Sequence, residues 1–190
     1  MLNIQPPQLP DHIPEGTRFG SFTLRAGAAL IDLLVLAPLN LLAYHFTVDA
    51  PNIYVVMGIA VAEALYKPVL EKVYGRTVGK RLLKLRVVSQ ADLGPISWNQ
   101  TFVRFLPWAV VFYAGVFTTI RQFQDPNFGN FATYQEYFTY FRNSVLGQSS
   151  VLAFLNNVPI FSAIFIIGDA LGRALHDRWA GTYVVVSSSE

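Results

Sequence analysis

An apolar stretch from Phe19 to Phe46 is long enough to cross a bilayer, yet it contains Arg25 and Asp32. A hydrocarbon core of about 30 Å asks for about 20 apolar residues. A charge near its centre costs at least about 2.5–3.5 kcal/mol. A span that keeps two such charges must set them against partner charges or a polar cavity. At about 100° and 1.5 Å per residue the two share a helix face, with Asp32 roughly 10 Å deeper. That separation is too long for a direct ion pair, so each needs a partner elsewhere.

Composition points the same way. Of 190 residues, 53% are hydrophobic and 14% charged, against about 25% charged in soluble domains. Mean hydropathy is +0.38. The net charge of +2 is too small to suggest nucleic acid. There is no cysteine, which excludes disulfides and thiolate metal sites. Residues 1–17 read as a polar, proline-rich lead-in without signal-peptide character, and residues 18–190 as one transmembrane domain.

Four segments can span: 22–46, 53–74, 102–120 and 151–171. Pro38 interrupts the first, and Glu63, Lys67 and Glu71 form a stripe at i, i+4, i+8 in the second. Residues 71–86 hold six Lys or Arg with Leu82, Leu83 and Leu85 among them, which predicts an amphipathic helix on the membrane surface. The following L-R-V-V-S and G-P-I-S-W predict a small β-hairpin turning near residues 91–94. The C-terminal T-Y-V-V-V-S reads as a strand that could pair with L-R-V-V-S. In the connection 121–150, Phe131, Tyr134, Phe138 and Phe141 predict a second interfacial helix; the alternative is a soluble cap with an aromatic core. The fold class expected is an all-α membrane protein, a four-helix transmembrane bundle with interfacial helices and a small cytoplasmic β element.

Lys and Arg are unevenly spread between the loops. With the N-terminus inside, the inner side receives Arg18, Lys72, Arg76, Lys80, Arg81, Lys84, Arg86, Arg173 and Arg178, and the outer side Arg121 and Arg142. The positive-inside rule then makes both termini cytoplasmic.

The charges in or near the spans gather in the cytoplasmic half. Arg25, Asp32, Glu63, Asp169, Arg173 and Asp177 are the candidates for an ion or substrate site, or for a buried charge network. Carboxylates ligate hard cations and, when desolvated, exchange protons in a useful range. Asp169, Arg173 and Asp177 are spaced by four and predict one face of a last helix. Arg25 has Asp177 as its expected partner, and Asp32 is left without one. Lys80, Arg81 and Lys84 are expected to hold anionic headgroups, each worth about 1 kcal/mol. G-R-T-V-G-K-R is not a P-loop: three residues separate Gly75 from Gly79, and Arg81 stands where Ser or Thr must hold Mg²⁺. His12, His45 and His176 have no ligand spacing, so neither a metal nor another cofactor is expected, and no nucleophile–base pair suggests an enzyme.

Three motifs together resemble the RDD family of bacterial membrane proteins: L-R-A-G-A-A-L-I-D in the first span, then G-R-T-V-G-K-R-L-L-K-L-R-V-V, then H-D-R-W-A-G-T-Y-V-V-V. The arginine and two aspartates of that name fall on Arg25, Asp32 and Asp177. The resemblance covers roughly residues 18–186. It departs at the aromatic connection 121–150 and at Trp179. It implies a multi-pass inner-membrane protein and suggests transport, with exchange of monovalent cations for protons as the leading expectation. Four helices make a thin wall, so a homo-oligomer is expected. The competing readings are an accessory or scaffold subunit bound to another membrane protein, and a lipid-binding protein.

Overall fold

The computed structural model describes residues 13, 14, 16–129 and 131–187. Most of the expected lead-in over 1–17, His12 included, lies outside them. Helices α1 (Phe22–Val48), α2 (Ile53–Tyr74) and α4 (Trp98–Phe123) are each long and apolar enough to cross a membrane. The helices α6 (Ser150–Asn156) and α7 (Val158–Gly168) meet that test together, bent by 50°. Among the described residues there are therefore three continuous candidate spans, or four if the bent pair counts as one.

Local chemistry sets the boundaries. Ser21 starts α1 by accepting from the Leu24 amide, and Asn52 starts α2 by accepting from Tyr54 and Val55. Gly75 ends α2 at φ 69°, a conformation that favours glycine. Ser97 and Gln100 form a reciprocal capping box that starts α4. The fourth segment breaks at Asn157 because Pro159 opens a new helix. Its ring cannot share the turn with the carbonyl four residues back. Asn157 Nδ2 instead donates to the Ala153 carbonyl at 2.7 Å.

Strands β1 (Leu85–Ser89) and β2 (Thr182–Val186) pair antiparallel, Leu85 opposite Val186 and Ser89 opposite Thr182. Phe19 bridges to Val185. The hairpin expected after β1 does not form. Ser89 and Gly94 close a loop, Ser89 N–H donating to the Gly94 carbonyl at 2.9 Å. Pro95 has no N–H to give a ladder, and the α4 cap claims Ser97. The sheet partner comes from the far end of the sequence instead.

The basic segment also departs from expectation. Its helix, α3 (Val78–Leu82), has five residues and is tucked against α1 rather than laid out as a surface stripe. Leu82 is exposed, while Leu85 belongs to β1 and is fully buried. At Gly79 a Cβ would run into the Ala28 carbonyl, so only glycine permits this approach. In the aromatic connection, α5 (Tyr134–Asn143) forms as expected but has two aromatic faces. Tyr134 and Phe138 stack with each other and are exposed. Phe131 instead packs with Phe128, Tyr137 and Tyr140.

The tightest packing lies at the sheet end of the bundle, where Ala28, Leu85, Val87, Ile96 and Val184 form one cluster and Ile13, Val88 and Tyr183 another. Leu30, Leu34 and Leu41 of α1 are exposed, the pattern of a surface meant for hydrocarbon. Gly79→Ala should cost about 1–3 kcal/mol by overpacking, read as a lowered thermal midpoint in detergent. Gly58→Ala, in α2 with open space around it, should leave the midpoint unchanged or raised.

Candidate functional site

α1 starts, α2 ends, α4 starts and α7 ends at the sheet end, and their charged residues meet there. Asp177, in α8 (Leu175–Ala180), accepts from Arg25 on one oxygen and from Arg104 on the other. The same carboxylate caps its own helix, accepting from the Ala174 amide at 3.0 Å. Arg104 Nε donates to Glu71 at 3.0 Å, and its Nη1 also donates to Thr182 Oγ1 at 2.7 Å. Glu71 pairs in turn with Lys80. The order Lys80–Glu71–Arg104–Asp177–Arg25 alternates in sign, and each member comes from a different helix: α3, α2, α4, α8 and α1. Glu71, Arg104 and Asp177 are buried to 1% exposure or less.

Asp32 has a separate environment. It accepts from Tyr66 Oη at 2.7 Å, Thr77 Oγ1 at 2.6 Å and the Gly79 amide at 2.7 Å. Its compensation is three neutral donors rather than a cation, and two of them belong to the G-x-T-x-G-K element. Carboxylates carry several acceptor sites, so Asp32 ties α1 to α2 and to the start of α3. Glu63 accepts from Asn40 Nδ2 at 2.8 Å and has no ion pair among the described residues. Lys67 does not neutralise it; the Lys67 ammonium lies over the Trp108 ring.

Two expectations are corrected. Lys80 does not reach for headgroups: its side chain is 12% exposed and its ammonium is spent on Glu71. Arg81 and Lys84 do stay on the surface. Asp169, Arg173 and Asp177 do not share a helix face, because α7 ends at Gly168 and α8 begins at Leu175. Asp169 and Arg173 form their own two-pronged pair at 3.0–3.2 Å, away from the array.

Sequence reading missed Glu71 and Arg104 as site members, Tyr66 and Thr77 as supports of Asp32, and Thr182 as a support of Arg104. The signal for Glu71 was its place on the Glu63–Lys67 stripe, facing the cations of the G-K element.

Burial alone would raise the Asp177 carboxyl pKa, but the Arg104 and Arg25 guanidiniums hold it well below the usual carboxylate range. Burial pushes His176 well below its ordinary value, so it is neutral, with Nδ1 2.8 Å from Ser162 Oγ and its ring edge-on to Trp108. Burial also lowers the Lys80 ammonium against the opposing pull of Glu71.

Between α1, α2, α4 and α7, above the array, lies a cavity of about 460 Å³. Arg25, Asp32, Lys67 and Arg104 line its sheet end, Glu63 faces it from α2, and Leu33, Leu36, Ile160 and Ile164 form its apolar sides. Leu33, Ile160 and Ile164 are themselves exposed, so the cavity opens sideways.

Two predictions follow from the array and from His176. Exchanging Arg25→Asp with Asp177→Arg should not restore stability, because the introduced arginine would face Arg104. Each single change should cost about 3–5 kcal/mol as an uncompensated buried charge, and the thermal midpoint in detergent checks both. For His176 the folded pKa lies below the unfolded value of about 6.5. As pH falls through 6.5 the unfolded chain takes up a proton that the folded chain refuses. Stability should therefore drop by up to about 1.4 kcal/mol per pH unit below 6.5, and His176→Gln should flatten that part of the profile. The Asp177 contribution is present above about pH 3.9 and is lost only below it.

Comparison with known proteins agrees with this architecture. Over 80 residues the chain is 34% identical to a UPF0756 membrane protein of Proteus mirabilis (strain HI4320). The match covers 42% of this chain and 53% of that protein, so the chain spans about half the length of the relative it matches. No solved structure matches. The profile of the RDD family matches residues 19–181, through the whole array, the first two sequence motifs and the third as far as Gly181, and the chain belongs to the RDD family.

Proposed function

We propose that this membrane protein transports a small ion or solute through the cavity between α1, α2, α4 and α7, in exchange with or together with protons. The carrying observation is Glu63. Asp32, Glu71, Asp169 and Asp177 are each bound by two or more donors. Glu63 faces the cavity with a single amide donor, Asn40. It is the carboxylate at the cavity with capacity left to take a proton or a cation. Carboxylates in such positions mark proton relays and ion pathways in transporters. The array beneath it supplies a rigid floor, and Asp32 acts as a fastener of α3 rather than as the exchanging group.

The accompanying topology puts the sheet, the array and both termini on the cytoplasmic side of the inner membrane, following the basic excess of that side. Residues 121–150 face outward. A homo-oligomer would thicken the wall that four elements provide. Lipid binding is a second reading, favoured by the sideways opening of the cavity.

Purified protein in liposomes carries the test. An imposed proton gradient should collapse when Na⁺, Li⁺ or K⁺ is added, and Glu63→Gln should reduce that response to the level of empty liposomes. Asp32→Asn should lower the thermal midpoint, by about 1–3 kcal/mol of lost hydrogen bonding, while flux per folded molecule persists. Equal rates for wild type and Glu63→Gln would rule out the assigned role.

A further inference from the structure

Two cationic side chains at the cavity, Arg25 and Lys67, carry donors that no protein acceptor takes among the described residues. The array beneath it contains three cations, Lys80, Arg104 and Arg25, against two anions, Glu71 and Asp177. Arg25 is 10% exposed, and its second terminal nitrogen, Nη2, is buried without a hydrogen-bond partner. Lys67 adds a fourth cation. Among the described residues its ammonium has no hydrogen bond and no ion pair, only the face of Trp108. A cation–π contact is worth about 0.5–2 kcal/mol, less than the cost of a cation inside a membrane. The Asp32 and Glu63 carboxylates bring the charged groups here to four of each sign, but their hydrogen bonds come from Tyr66, Thr77, Gly79 and Asn40 rather than from Arg25 Nη2 or Lys67. Glu63, one turn along α2, binds Asn40.

The rest of the cavity is apolar. Leu33, Leu36, Ile160, Ala163 and Ile164 line the space between α1 and α7, and the exposure of Leu33, Ile160 and Ile164 marks an opening toward the surrounding hydrocarbon. A charged pole, an apolar slot and a lateral mouth together describe the outline of an amphiphile. The volume of about 460 Å³ is within the range of small-molecule sites. A hydrated inorganic anion would leave the slot unused.

We propose that this cavity binds an anionic amphiphile, its carboxylate or phosphate head at Lys67 and Arg25 and its acyl chain in the slot between α1 and α7. The head accepts from the Arg25 and Lys67 donors that the protein leaves open, and the chain enters sideways from the bilayer. This goes beyond the transport reading and stands on binding alone, so binding and flux can fail separately.

Trp108 is a built-in reporter beside Lys67. In protein carrying Trp98→Phe and Trp179→Phe, both at exposed positions, Trp108 is the remaining tryptophan. Delipidated protein in a non-ionic detergent would be titrated with oleate, oleyl phosphate, oleyl alcohol and inorganic phosphate while its fluorescence is followed. Oleate and oleyl phosphate should give a saturable change, and oleyl alcohol and inorganic phosphate should bind at least about tenfold more weakly. Lys67→Gln should weaken oleate by about tenfold or more. Ala163→Phe, which fills the slot and leaves every charge in place, should do the same. Arg81→Gln with Lys84→Gln, which removes surface charge only, should change nothing. The proposal is overturned if oleyl alcohol matches oleate, or if inorganic phosphate saturates the site as readily as oleyl phosphate. It is equally overturned if the surface pair, and not Lys67, controls binding.

Discussion

Five charged side chains in alternating order join five helices of this protein at one end. Lys80, Glu71, Arg104, Asp177 and Arg25 come from α3, α2, α4, α8 and α1, and no two neighbours share a helix. Buried ion pairs add little net stability when compared with apolar residues of equal size, because desolvation offsets most of the attraction. Their effect is on arrangement. A helix that slid or rotated would leave a bare charge in an apolar setting, which costs far more than the pair gains. The array thus selects one relative placement of α1, α2, α4 and α8, and the sheet and Asp32 fix the connections around it. The apolar outer faces, by contrast, tolerate any rotation that keeps them on hydrocarbon.

Much of this was legible in the sequence, for reasons that differ between elements. The spans declare themselves by length and hydropathy, and two of the four run to within two residues of their expected ends. Arg25 and Asp177 could be matched because both had to lie at the same end of the bundle. Other features depend on contacts with no local signature. Thr77 and Gly79 reach Asp32 across 45 and 47 residues, and nothing in G-R-T-V-G-K states that its donors face an aspartate. Lys80 looks like its neighbours Arg81 and Lys84, yet helical phase turns it inward to Glu71. The hairpin was favoured by proximity, and Pro95 together with the cap at Ser97 defeated it.

The division between a well-packed end and an open middle links the fold to its chemistry. Charges that compensate one another are sealed against the sheet, where they hold shape. Charges with spare capacity, Glu63 and Lys67, sit one turn apart on α2 and face the cavity. The α6–α7 bend contributes by setting α7 against that cavity with a lateral gap beside α1. A rigid base beneath a partly open chamber is an arrangement in which occupancy can change without disturbing the assembly.

The position of Asp177 has a consequence for biosynthesis. Arg104 precedes its partner by 73 residues. At about 5–20 residues per second, synthesis leaves about 4–15 s between the two. Throughout that interval α1, α2 and α4 exist with Arg25 and Arg104 lacking the carboxylate they share, and β1 lacks its partner β2. Until then Glu71 is the carboxylate available to Arg104, and the arrival of H-D-R-W-A-G-T-Y-V-V-V acts as the latch that joins α1 to α4.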